Sequence, residues 1–190
     1  SYLFCAQYCS YSNSAAAFFN EDISAWDTSG VTTMYYMFYG EDETRWQSVF
    51  NQDIGDWAVH NVKDMGGMFR YARSFNQDIG GWAVHNVRDM NEMFRSASRF
   101  NQDLSNWTVH HVTHMERMFS RASAFNQHLG WCVVDGVNWG WAFEYTPCAS
   151  TSCGVVQLDN CLTFFDGAFG DDSIRTAVAY WFADQSTAEA

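Results

Sequence analysis

The chain has 190 residues, a net charge of −12, 47% hydrophobic residues and 18% aromatic residues. That is one domain's worth of sequence with ample material for a core, which argues against wholesale disorder. A single lysine among ten basic residues leaves a surface that repels phosphate backbones, so nucleic acid is not an expected partner. No run of eighteen apolar residues is present to form a membrane span.

The chain opens at Ser1 without a charged and then apolar leader, and reads as a mature or excised segment. Cys5 and Cys9 stand near that end, and Cys132, Cys148, Cys153 and Cys161 follow the last regular repeat. Six cysteines allow fifteen pairings, among which sequence does not choose. A zinc site needs four ligands converging at short paired spacings, whereas the four downstream cysteines are spread unevenly and match such pairs poorly. Disulfides formed in an oxidising compartment are expected instead. Nine of the ten basic residues fall between Arg45 and Arg121, which leaves acidic ends and a mixed, solvated middle.

Phe50, Phe75, Phe100 and Phe125 recur at one constant interval, each followed by Asn-Gln: Asn51, Asn76, Asn101 and Asn126 open those pairs. An earlier copy begins at Phe19-Asn20, at a wider interval because "GEDETRWQSV" lengthens one loop. Self-similarity at such a period predicts a solenoid. Within a copy, Phe75, Gln77 and Ile79 share one side of an extended segment. Val87, Met90, Met93, Phe94 and Ala97 then recur at spacings of three and four, as on one face of a short helix. The expected fold is an α/β repeat solenoid, leucine-rich-repeat-like in its plan, with a short strand and a short helical segment in each coil. Regular copies cover about 50–125 within a solenoid of 1–143.

Stacking would pile like residues into ladders: Met65, Met90 and Met115; Met68, Met93 and Met118; Trp57, Trp82 and Trp107. Such Met and aromatic columns read as core rather than as a cofactor site. The Asn ladder is expected to point inward and satisfy buried peptide groups at a corner. His60, His85 and His110 share one repeat position. A column of imidazoles could bind zinc or titrate near pH 6, but the preferred reading is a repeated surface corner, with no metal. Asp53, Asp78 and Asp103 form an acidic ladder read as bonding to nearby backbone amides rather than holding calcium. Asn106-Trp107-Thr108 is a glycosylation sequon, which makes Asn106 a candidate acceptor. No Gly-x-Ser-x-Gly, phosphate-cradling glycine loop or His-Glu-x-x-His occurs, so no catalytic residue and no cofactor is assigned.

Residues 144–163 read as a cysteine-rich cap, since a solenoid end would otherwise expose its core. The last part, 164–190, is expected to hold a helix capped near Asp171, Asp172 or Ser173. Ile174, Ala177, Val178, Trp181 and Phe182 supply its apolar side and are interface candidates.

The unit from Met68-Phe69 to Trp82, and again from Met93-Phe94 to Trp107, resembles the BspA-like leucine-rich-repeat surface proteins. Their branch reads Met-Phe-x-x-Ala-x-x-Phe-Asn-x-Asp-Ile-x-x-Trp. The resemblance covers about residues 1–143, counting degenerate copies at Tyr2–Phe4 and Trp141–Phe143. It implies a leucine-rich-repeat-like solenoid with adhesive or assembly roles at a microbial surface or in secretion, and it does not imply an enzyme. A helix with Ala177-Val178 and Trp181 commonly precedes an array in that family, which suggests tandem or head-to-tail contacts. The function expected is a non-enzymatic extracellular structural or adhesive repeat protein whose partners are protein subunits or copies of itself. The alternative is a glycan- or ligand-binding module using Tyr35, Tyr36 and Tyr39.

Overall fold

The computed structural model describes residues 17–40, 47–158 and 161. Cys5, Cys9 and the C-terminal interface candidates Ile174, Ala177, Val178, Trp181 and Phe182 lie outside the described residues.

The repeated segments lie side by side in register. Parallel single bridges run from Thr33 to Asp64, Asp64 to Asp89, Asp89 to His114 and His114 to Asn138. Just past each bridge, one row of main-chain bonds joins each copy to the next. Met65, Gly67, Phe69 and Tyr71 donate to the carbonyls of Asp89, Asn91, Met93 and Arg95. Met90, Glu92, Phe94 and Ser96 donate to His114, Glu116, Met118 and Ser120. Met34, Tyr36, Phe38 and Gly40 repeat the row before them, and Met115, Arg117, Phe119 and Arg121 repeat it after.

The helix that spacing predicts over Val87–Ala97 is met by something else. Between the donors just named, Met93, Arg95 and Ala97 bond back to Met90, Glu92 and Phe94. Each segment is therefore a chain of tight turns whose alternate amides leave for the neighbouring copy. Turn bonds to the third residue back place apolar side chains at helical spacing, so periodicity cannot separate the two. The backbone does: Glu92, Ser96, Arg117 and Arg121 all have positive φ, from 53° to 62°, which a helix forbids. Gly67, at φ 60°, takes the same conformation with the Tyr36 ring lying over it; a Cβ there would sit 2.1 Å from Cε1 of that ring.

The strand expected over Phe75–Ile79 is absent from the described residues as well, although Phe75 and Ile79 are buried and Asn76 and Asp78 exposed. Side chains join the copies here. Asn51 Oδ1 accepts the Asn76 amide at 2.9 Å, Asn76 Oδ1 accepts the Asn101 amide at 2.9 Å, and Asn101 Oδ1 accepts the Asn126 amide at 2.9 Å. Gln77, Gln102 and Gln127 donate from Nε2 to the carbonyls of Asn51, Asn76 and Asn101. The ladder satisfies peptide groups but does so at the surface, which corrects the inward placement expected of it. An acceptor next to solvent does this work without desolvating the second half of its amide.

The core lies between these two rows. Phe50, Phe75, Phe100 and Phe125 stack at 5.8–6.1 Å between copies. A second column, Phe38, Phe69, Phe94 and Phe119, interleaves with the first at 3.8–4.1 Å within each copy. Trp82 and Trp107 stack at 6.4 Å, and Trp131 continues their column one residue early, 6.2 Å from Trp107. Each indole is also tied by its N–H: Trp57 to the Ile23 carbonyl, Trp82 to Ile54, Trp107 to Ile79 and Trp131 to Leu104. Met65, Met90, Met115, Met68, Met93 and Met118 are fully buried.

Past the last regular copy, β1 (Cys132–Val134) pairs in parallel with β2 (Val156–Leu158), Cys132 opposite Val156. The turns over Ala149–Gly154 carry the chain between them. Disulfides join Cys132 to Cys161 and Cys148 to Cys153. Leu129 donates to the Cys153 carbonyl and Val156 to the Trp131 carbonyl, so this segment lies along one half of the final copy.

Candidate functional site

The turn rows form a side wall on which equivalent positions carry very different side chains. Along one row lie Tyr36, Gly67, Glu92, Arg117 and Trp141; beside it lie Tyr35, Gly66, Asn91, Glu116 and Gly140. The Gly66-Gly67 pair leaves room for the two tyrosine rings, which meet edge to face at 4.2 Å. A groove of about 270 Å³ opens there, lined by Tyr35, Tyr36, Asp89, Asn91, Glu92, Glu116 and Arg117.

Its walls are pinned by ion pairs. Glu92 bridges Arg70 and Arg95, with Arg70 also donating to the Tyr36 hydroxyl. The Arg70 guanidinium lies 5.6 Å from the Tyr39 ring and 5.2 Å from Tyr71, which joins both rings to one buried cluster with Tyr36. Of the three tyrosines expected to bind a ligand, Tyr36 and Tyr39 are thus committed to packing, and Tyr35 alone is exposed. Glu116 pairs with Arg117 at 2.8 Å and accepts from Asn138 at 3.2 Å. Asp64, behind the groove, accepts the Gly66 amide at 2.9 Å. Burial pushes its carboxyl above the ordinary range, and the neighbouring Asp89 charge adds to this against the pull of the Gly66 amide.

Towards the last copy the wall becomes aromatic. Trp141 is 59% exposed and Tyr145 65% exposed. Arg117 lies 4.8 Å from the Trp141 ring centre and Arg121 lies 5.6 Å from that of Tyr145, a cation–π pair at each. Neither arginine–aromatic pair is visible as a motif, because the partners sit one copy apart and the pairing never repeats.

The other candidates have structural partners. Asp53, Asp78 and Asp103 accept the amides of Gly55, Gly80 and Ser105 two residues on. His60, His85 and His110 are exposed. The Asn61 and Asn86 amides donate to the carbonyls of Ser29 and His60, and His111 Nδ1 meets the His85 carbonyl at 2.8 Å. His111 therefore stands in for asparagine, and its Nδ1 must carry the proton. Burial, and then the charge of His111, hold His110 below the ordinary imidazole range. Among the described residues, no three His, Cys, Asp or Glu side chains converge as metal ligands. Asn106 is exposed.

Sequence reasoning missed the second phenylalanine column, Trp131 and the glutamine row. The first was spelled out by Met-Phe in every unit, and the last by Asn-Gln.

A family model described as "Mycoplasma protein of unknown function, DUF285" matches residues 8–132. No curated protein and no solved structure matches the chain. Among the described residues, no helix is long and apolar enough to cross a membrane, and the two disulfides fit a secreted or surface protein.

Proposed function

The chain belongs to the DUF285 family, and from that premise we propose that it is a non-enzymatic extracellular structural or adhesive repeat protein that mediates protein–protein assembly. In this reading the stacked copies are coils of a leucine-rich-repeat-like solenoid, a scaffold that lengthens by adding coils. The supporting observation is the aromatic–arginine wall. Trp141 and Tyr145 stay exposed while Arg117 and Arg121 lie over their rings. Aromatic residues and arginine are the side chains enriched where protein surfaces bind most tightly.

Light scattering of the full chain over a range of concentrations tests this. The expected result is a mass rising above the 21.8 kDa of one chain, reversed by Trp141→Ala with Tyr145→Ala. A mass fixed at one chain throughout, unaltered by the double substitution, refutes assembly of copies through this wall. The groove beside Tyr35 favours a second reading, a glycan- or ligand-binding surface module. Its small volume and its paired carboxylates suit one polar ligand edge against one exposed ring, and Tyr35→Ala would abolish such binding without altering the mass.

A further inference from the structure

Twice along the wall a guanidinium, a ring and a carboxylate come together as a set. Arg70 lies 5.6 Å from the Tyr39 ring and 5.2 Å from that of Tyr71, while Glu92 takes one of its nitrogens. Arg117 lies 4.8 Å from the Trp141 ring, while Glu116 pairs with it at 2.8 Å. The groove at Gly66-Gly67 brings together a ring and carboxylates of the same kind, with open space between them. The ring is Tyr35, exposed at the rim, and Asp89 is in the lining. Asp64 stands behind: a Cβ on Gly66 would lie 3.1 Å from Cδ2 of Tyr35 and 3.2 Å from Oδ1 of Asp64. Ring and carboxylate thus flank one space, which the glycine leaves open.

The two aspartates are half-buried and carry no counter-ion. Among the described residues no cation pairs with either. Each commits only Oδ1, Asp64 to the Gly66 amide at 2.9 Å and Asp89 to the Asn91 amide at 2.8 Å. Lys63 and Arg88, which precede them in the chain, are exposed and pair with neither. Desolvation beside a like charge is the situation that a bound cation relieves. Arg117, the only cation among the lining residues, is already engaged by Glu116 and Trp141.

We propose that the groove is a receptor site for one arginine side chain of a partner protein. A guanidinium is flat enough to lie along the Tyr35 ring and forked enough to turn one edge to the aspartates. The volume of about 270 Å³ admits one such side chain and little more. An ammonium would meet the carboxylates as a hydrated point charge, with no plane to lay against the ring. The protein's own sets use arginine in the same way, with Glu92 and Glu116 as the carboxylates. That the arginine arrives on a protein rests on the assembly reading; the preference of the groove for a guanidinium does not.

Titration of the full, oxidised, isotope-labelled chain with N-acetylarginine methylamide, followed by amide NMR, tests the site. The expected result is a set of shifts at Tyr35, Gly66, Gly67 and Asn91 that saturates in the millimolar range, as suits a single side chain. The citrulline analogue has the same shape without the charge and should leave these signals still; the lysine analogue should bind more weakly. Asp64→Asn and Asp89→Asn should each weaken the arginine probe on the order of tenfold. Unmoved indole signals of Trp107 and Trp131 would show that the stack survives each substitution. Equal shifts from citrulline, no shift from arginine, or binding that neither substitution alters overturns the site. A lysine analogue as tight as arginine overturns the guanidinium assignment. Free arginine carries a carboxylate towards Glu116 and should bind more weakly than the capped residue; tighter binding would make the amino acid the ligand and overturn the partner protein as its source. Self-assembly through Trp141 and Tyr145 is read separately, from the mass: a chain that stays single and still takes the probe loses that reading and keeps this site.

Discussion

Two adjacent glycines should respond oppositely to the same substitution. A Cβ on Gly80 would lie 2.6 Å from the Asp103 carbonyl oxygen of the next copy, whereas one on Gly81 would meet nothing within 4 Å. Ordinary contact begins near 3.4 Å, so the shortfall at Gly80 is about 0.8 Å. The obstacle is backbone, and it cannot swing aside. Just before Asp103, the Asn101 amide and the Gln102 side chain are bonded to Asn76. Gly80→Ala must therefore prise two copies apart, an overpacking that costs about 1–3 kcal/mol. Gly81→Ala should instead gain about 0.4–1 kcal/mol by restricting the unfolded chain. For a domain of this size each kcal/mol moves Tm by about 2–4 °C. Thermal unfolding followed by circular dichroism, with the disulfides intact, should place the two variants on either side of the parent. A Gly80→Ala protein as stable as Gly81→Ala would refute the close approach of the copies at this corner.

Other perturbations probe separate layers. Asn76→Ala removes the acceptor for the Asn101 amide and should cost about 0.5–1.5 kcal/mol; Asn76→Asp, which keeps Oδ1, should cost less in a urea titration. Asp64→Asn should raise Tm at neutral pH. The folded state holds the Asp64 carboxyl above its ordinary value of 3.8, so its ionised form is penalised at higher pH. The gain should shrink as pH falls through the raised value and vanish below 3.8, where both states are protonated. A gain independent of pH would refute the assignment. Replacing both Cys132 and Cys161 with serine opens a loop spanning a sequence separation of 29 and should cost about 3.6 kcal/mol on the chain-entropy account. An unchanged urea midpoint would show that the bond does not restrict the unfolded chain.

The sequence announced which residues would meet, and less about the backbone that brings them together. Phe75 and Phe100, and Trp82 and Trp107, are spaced to touch, and they stack at 5.8 and 6.4 Å. Buried apolar side chains leave this trace because identical neighbours must fill identical space. The Asn row was legible as a ladder but not as a surface one, because its bonds depend on which side of the chain faces solvent. The Arg117–Trp141 and Arg121–Tyr145 pairs left no trace, since each joins two positions where the repeat unit does not hold its residue type.

The backbone of the wall was hidden for a deeper reason. Gly67, Glu92, Arg117 and Trp141 share one left-handed conformation, at φ 60°, 54°, 53° and 55°, yet have no chemistry in common. Local preference therefore cannot be its cause. For residues other than glycine the region costs about 1–2 kcal/mol each, and a junction bond returns about 0.5–1.5 kcal/mol net. Four bonds and two such residues per copy nearly cancel, so the rows alone give little margin for holding the copies together. What decides the matter is ring burial: Phe94 and Phe100 contact at 4.1 Å with Phe119 5.3 Å beyond, and truncating a ring so enclosed costs about 3–5 kcal/mol. The left-handed turns follow from stacking and not the reverse, so a single copy cut from the chain should lose them.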